Sequence, residues 1–221
     1  MTERGMIFNG EMVRAILEGR KTQTRRVMKV QPESNQLGLL LITDSTKRSD
    51  ISKYHWAESN ATGNHVRSKL FSCPFGAVGD RIWVRETWAE AGASAPDLKL
   101  YRANYPEHVP SIYENVPPAE EIRWTTSIHM PRWASRILLG ITDVRVERLN
   151  AISEEDARAE GIIDGGCLNC GEPEPCGCAN PEPDATDAFA YLWQSIYGQE
   201  SWNSNPWVWV IEFERVEGGA A

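Results

Sequence analysis

No apolar run in this 221-residue chain approaches the roughly 20 residues that a helix needs to cross a bilayer. The opening Met1-Thr2-Glu3-Arg4-Gly5 lacks the basic and apolar regions of a secretory signal. These two absences lead us to expect a cytoplasmic protein with no membrane partner. Internal repeats are missing, and so are the Walker and Rossmann glycine motifs; a solenoid, a P-loop and a dinucleotide fold are therefore not expected. A basic surplus is lacking too. With 23 Lys and Arg against 31 Asp and Glu, the net charge is −8, which argues against generic coating of nucleic acid. A local basic cleft for a nucleotide or a short strand stays compatible with that balance.

What is present describes an ordinary globular chain, 41% hydrophobic and 24% charged, long enough for one sizeable core with insertions. The nine tryptophans belong mostly to that core, with one or two left to line a base-sized pocket.

The organising stretch is Gly19-Arg20-Lys21-Thr22-Gln23-Thr24-Arg25-Arg26. Before it, Met12, Val13, Ile16 and Leu17 recur at helical spacing, and Gly19 is a natural end for that helix. After it, Thr22, Thr24 and Val27 favour a strand. Residues 14–29 hold six basic residues and one acid, Glu18, an inversion of the chain's overall sign. A basic run at a helix C-terminus can arise from dipole compensation alone, worth ~0.3–1 kcal/mol per charge. The lysine and paired threonines at the junction are what point to chemistry.

Downstream, residues 31–73 lose periodicity and read as a peripheral insertion with a short hairpin at 37–43 and 54–57. The core resumes at the Gly79-Asp80 turn, followed by a strand on which Trp83 and Arg85 share a face. Strands are expected at 98–103 and 122–126, a loop or single turn at 127–135, and a long strand at 136–149 with a bulge near Thr142-Asp143. Ser153 caps a helix whose first turn carries Glu154, Glu155 and Asp156, and Gly161 stops it. Glu160 stands in the last turn, where a negative charge is unfavourable, so it either faces solvent or answers a positive partner. Another amphipathic helix at 187–197 precedes a closing, largely buried strand at 206–216.

Between those helices, residues 164–184 form a Cys-rich loop. Cys167 and Cys170, then Cys176 and Cys178, give CxxC and CxC separated by five residues. Four thiolates so placed offer one tetrahedral zinc cage. The loop's Gly, Pro and polar residues cannot order themselves by burial, whereas a structural zinc contributes on the order of 10–16 kcal/mol. Free thiols or disulfides are the alternatives. Cys73 is expected to take no part.

With these residues in hand, the chain resembles the ASCH family, a branch of the PUA-like β-barrels, and most of all its longer bacteriophage and prophage members. The resemblance lies in Gly19-Arg20-Lys21-Thr22-x-Thr24-x-Arg26, the Gly79-Asp80 turn with its strand, and the segment from Ile152-Ser153 to Glu160-Gly161. It implies a single α/β (α+β) domain over residues 1–221, a small mixed barrel with flanking helices and insertions. Small bacterial members hydrolyse 4-acetylcytidine, and their catalytic residues correspond to Lys21, Thr24 and Glu160. Arg20, Arg26, Trp83 and Arg85 would then bind substrate, a modified nucleoside or RNA. Lys21 would have its pKa lowered by burial and by Arg20, Arg25 and Arg26, letting it deprotonate Thr24 or a water. The family equally implies a non-catalytic RNA-binding module, and a phage accessory protein is a third class. This chain is about twice the length of the small hydrolases, so its insertions bear on the pocket.

Overall fold

A computed structural model describes residues 1–33, 37–58, 68–92, 95–163 and 185–216. In chain order the elements are β1 (Glu3–Ile7), α1 (Gly10–Leu17), β2 (Gln23–Val27), β3 (Gly38–Leu41), β4 (Tyr54–Ala57), β5 (Arg81–Arg85), β6 (Trp88–Glu90), β7 (Lys99–Tyr101), β8 (Leu138–Arg148), α2 (Glu154–Ala159), α3 (Ala185–Tyr197), α4 (Gln199–Asn203) and β9 (Trp207–Arg215). The protein is mixed α/β. Its main sheet runs β1-β5-β8-β9-β2, parallel between β1 and β5 and antiparallel elsewhere. The sheet is open, with β1 and β2 as its edges.

β9 is the strand on which the two larger cores rest; a smaller cluster of Trp88, Tyr101, Met130 and Ala134 lies apart from it. Trp209, Ile211 and Phe213 join Ile82, Val84, Leu139, Ile141 and the inner face of α1 in the larger core. Val208 and Val210, one residue out of phase, pack with Ala157, Phe189 and Trp193 from α2 and α3. Side chains alternate across a strand, so a strand covered on both faces reads as the continuous apolar run seen here rather than as alternation. β8 carries the expected bulge, a register shift between Ile141 and Asp143.

The hairpin β3–β4 forms inside the segment read as a peripheral insertion, and it is built into the fold. Trp56 is 1% exposed and belongs to the larger core, with Leu37, Leu39 and Phe71 packed around it. Two expected strands are shorter or absent. Residues 98–103 give only β7, because the chain turns into a single helical turn at Arg102–Asn104. Residues 122–126 make one isolated bridge, Thr125 to Trp88, so their β-branched residues serve a local crossing rather than a ladder. β1 announces itself in no alternating pattern; only Met6 of its five residues is buried. No helix among the described residues is long and apolar enough to cross a membrane.

The parallel pairing of β1 with β5 is pinned by the Gly79-Asp80 turn. Asp80 accepts from the Thr2 backbone N–H at 2.7 Å through Oδ1, and from Ala77 N–H at 3.2 Å through Oδ2. Those bonds, Thr2's first, hold the carboxyl down at about 2, below its ordinary 3.8. A carboxylate depressed in the folded state contributes stability that is complete above the unfolded value and lost as pH falls through the folded one. Asp80→Asn should therefore cost about 1–2 kcal/mol near neutral pH. It should also flatten the loss of stability between pH 4 and pH 2, both read from urea unfolding across pH.

Candidate active site

The site forms where the end of α1 and the end of α2 are brought together. α1 begins on Asn9, whose side chain accepts from Met12 N–H, and ends at Gly19, which takes φ +76°. That left-handed turn lets the N–H groups of Arg20 and Lys21 both reach the Ala15 carbonyl, at 2.9 and 3.0 Å. α2 begins on Ser153, whose hydroxyl accepts from Asp156 N–H, and ends at Glu160. Thr22 N–H donates to the Ala159 carbonyl at 2.9 Å, and Lys21 pairs with Glu160 as an antiparallel bridge. Gly161 is needed at the contact for two reasons. Its φ is +90°, and a Cβ there would lie 2.8 Å from Ala15 Cβ and 3.1 Å from Lys21 Cβ.

Within that junction the Lys21 ammonium donates to Glu160 Oε2 at 2.6 Å and to the Glu160 carbonyl at 2.8 Å. The two residues are 2% and 5% exposed. Of the two readings of Glu160, the positive partner is the one found. Burial pushes the Lys21 pKa down, against the pull of Glu160, and the charges of Arg26 and Arg25 add to the lowering. A lysine so placed is closer to acting as a proton acceptor than a solvated one.

The other Glu160 oxygen is unusual. Oε1 is buried and has no hydrogen-bond partner among the described residues, although Arg25 Nη1 makes an ion-pair contact with it at 3.6 Å. Glu160 also lines a cleft of about 380 Å³. Arg20, Arg14 and Asn9 supply its polar wall; Met12, Ile162 and Leu192 supply an apolar one. Arg20 is fixed there by donating to Glu18 through Nε at 2.8 Å and to the Gly161 carbonyl at 2.7 Å.

Behind Glu160 lies a polar network absent from the expected site. Arg25, fully buried, donates to Asp156 Oδ2 at 2.8 Å and Glu147 Oε2 at 3.2 Å, and also reaches Gln23 Oε1. Gln23 returns a bond to Asp156 Oδ1 at 2.9 Å. Arg145 closes the outer side, contacting Asp156 at 3.1 Å, Glu147 at 2.6 Å and Glu212. One signal in the sequence pointed to it: Asp156 and Glu160, four apart, share a helix face, so both were placed to meet the basic residues of the 20–26 stretch.

The remaining expected site residues are dispersed. Thr24 is 1% exposed on β2 opposite Ile211. It is out of phase with Gln23 and Arg25, so strand alternation directs it toward the larger core rather than toward Glu160. Arg26 donates to the Ile7 carbonyl at 2.9 Å and to the Tyr197 hydroxyl at 3.2 Å, its guanidinium 5.3 Å over the Phe8 ring. Trp83 and Arg85 do share a face of β5, 5.4 Å apart. However, β8 and β9 stand between that strand and β2. Cys167, Cys170, Cys176 and Cys178 lie outside the described residues, while Cys73 is a free, half-buried thiol whose pKa burial pushes up.

Comparison with protein-family models gave no match, and neither did comparison with curated proteins or with solved structures.

Removing one partner of a buried ion pair strands the other charge and typically costs about 3–5 kcal/mol, whereas replacing both with apolar groups can be near neutral. Lys21→Met should thus destabilise the fold by that amount in urea unfolding. Lys21→Met combined with Glu160→Leu should recover at least half of the loss. Equal destabilisation in both variants would show that the pair does not bear on stability as a unit.

Proposed function

We propose that this chain is an ASCH-type protein whose cleft takes a modified nucleoside and hydrolyses an amide on its base, as in 4-acetylcytidine. The observation that carries the reading is the buried Lys21–Glu160 pair, whose glutamate lines the cleft and whose Oε1 has no hydrogen-bond partner among the described residues. A buried acceptor without a donor is costly, and an exocyclic N–H of an acylated cytosine is the kind of donor that would complete it. The wall of Met12, Ile162 and Leu192 suits a planar heterocycle.

In the proposed reaction a water attacks the acyl carbon, Lys21 takes its proton, and Arg20 stabilises the oxyanion. The carbon–nitrogen bond then breaks, the amine nitrogen recovers the proton, and cytidine and acetate leave. Strand phase favours water over Thr24 Oγ1 as the nucleophile. The PUA-like barrel belongs to the same proposal. It is supported by Arg26, which ties edge strand β2 to the end of edge strand β1 through the Ile7 carbonyl. Arg25, held by Asp156 and Glu147 with no exposed surface, has nothing to offer a phosphate, which counts against an RNA-gripping module.

The purified protein should release cytidine from 4-acetylcytidine. Lys21→Met and Glu160→Gln should each lower kcat by on the order of 100-fold or more, while Thr24→Val should lower it far less. The rate should rise with pH on a basic limb lying below lysine's ordinary 10.5, because Lys21 must shed its proton first. Absence of release above the uncatalysed rate ends this reading for that substrate.

A structural zinc held by Cys167, Cys170, Cys176 and Cys178 remains part of the proposal on the strength of their spacing. Elemental analysis of protein purified without added metal should find one zinc per chain, lost in Cys170→Ser. A content near zero with four freely titrating thiols refutes it.

A further inference from the structure

Arg14 lines two clefts at once. One is the cleft at Glu160. The second, of about 280 Å³, lies between α1 and the turn at Arg102–Asn104, and its walls are Arg14, Gly10, Glu86, Thr87, Arg102 and Ala103. Around the start of α1 the allocation alternates, Asn9 and Glu11 to the first cleft and Gly10 to the second. The first turn of α1 thus contributes to both spaces, with the Arg14 side chain common to the two.

The second cleft carries surplus positive charge. Its one carboxylate, Glu86, is 2% exposed and engaged on both oxygens by Arg136, at 2.9 and 3.0 Å. Arg14 gives Nη1 to the Ala103 carbonyl at 2.7 Å, and neither Arg14 nor Arg102 has a carboxylate partner among the described residues. Guanidinium groups left unneutralised in a recess are anion ligands, phosphate above all. Both side chains are exposed, and in a protein of net charge −8 they meet at one recess.

We infer that the two clefts form one composite site and that the second is a phosphate subsite, so that the ligand is a phosphorylated nucleoside. Its base lies against Glu160 and its phosphate, one ribose away, between Arg14 and Arg102. This assignment rests on the nucleoside-directed reading of the first cleft. A mononucleotide suits the site better than a strand. Arg20 and Arg25, the guanidiniums beside Glu160, are held by Glu18 and Asp156. Arg14 and Arg102 remain, enough for one phosphate.

The test compares 4-acetylcytidine with its 5′-monophosphate in steady-state hydrolysis, and cytidine with cytidine 5′-monophosphate in calorimetric binding, at low salt. Loss of one charge-assisted contact is worth about tenfold or more. The monophosphate should exceed the nucleoside in kcat/KM by at least about tenfold, mostly through KM. That ratio should fall toward one in Arg102→Ala and in Arg14→Gln. Equal kcat/KM for the two substrates in the wild-type protein overturns the phosphate subsite while leaving the hydrolase reading intact. If neither is hydrolysed, that reading fails separately and binding decides. Preference for the monophosphate, lost in Arg102→Ala, upholds the subsite, and equal or absent binding overturns it. A short RNA bound more than tenfold tighter than the mononucleotide overturns the single-phosphate assignment.

Discussion

Placing a lysine and a glutamate together out of water costs several kcal/mol per ion before their attraction offsets it, and residues 15–25 and 154–161 are arranged around that constraint. The Lys21 ammonium has three N–H groups to satisfy; Glu160 supplies both a carboxylate oxygen and its backbone carbonyl. That carbonyl belongs to the C-terminal end of α2, where the last acceptors lack intrahelical donors. One side chain thus answers the helix end and the carboxylate. The close approach this demands is what Gly161 permits, since any Cβ there would collide with Ala15.

β9 decides which side chains take part. Because both of its faces are buried, phase along its neighbour β2 sorts side chains into two environments. Gln23 and Arg25 meet the acids of α2 and β8, and Thr24 faces the larger core. A one-residue slip of β2 against β9 would exchange these sets and bury the arginine among aliphatic residues. The Arg25–Asp156–Glu147–Arg145 network therefore specifies register as well as holding Glu160 from behind. Glu154 performs a similar service at the other end of α2, accepting from the first free N–H groups of α3 at Ala185 and Thr186.

Much of this was legible in the residues. The Gly19 stop, the Ser153 cap and the bulge of β8 follow from local chemistry, and the structure holds all three. The pairing of Glu160 with a cation was foreshadowed by an acid placed against a negative dipole end. Local patterns gave out where the deciding contacts are distant in the chain. Asp156 looks like ordinary dipole compensation until β2 is laid beside it, 131 residues away from Arg25. Trp83 and Arg85 share a face as their alternation requires, but alternation says nothing of how many strands will stand between β5 and β2. Likewise Trp56 sits in a stretch without periodicity and still anchors the larger core.

The unpartnered Glu160 Oε1 ties these features to the proposed function. A buried pair satisfied on every side would be a structural staple and nothing more. Here the lysine holds two acceptors and one carboxylate oxygen has no hydrogen bond among the described residues, so a cleft-lining glutamate keeps an unmet acceptor. A ligand bringing a donor to that oxygen would engage charge now resting on Glu160, weakening its hold on the ammonium. Burial already drives Lys21 toward its neutral form, and less compensation from Glu160 would drive it further. In the proposed reaction, occupying the cleft and freeing a base would then be two consequences of one hydrogen bond.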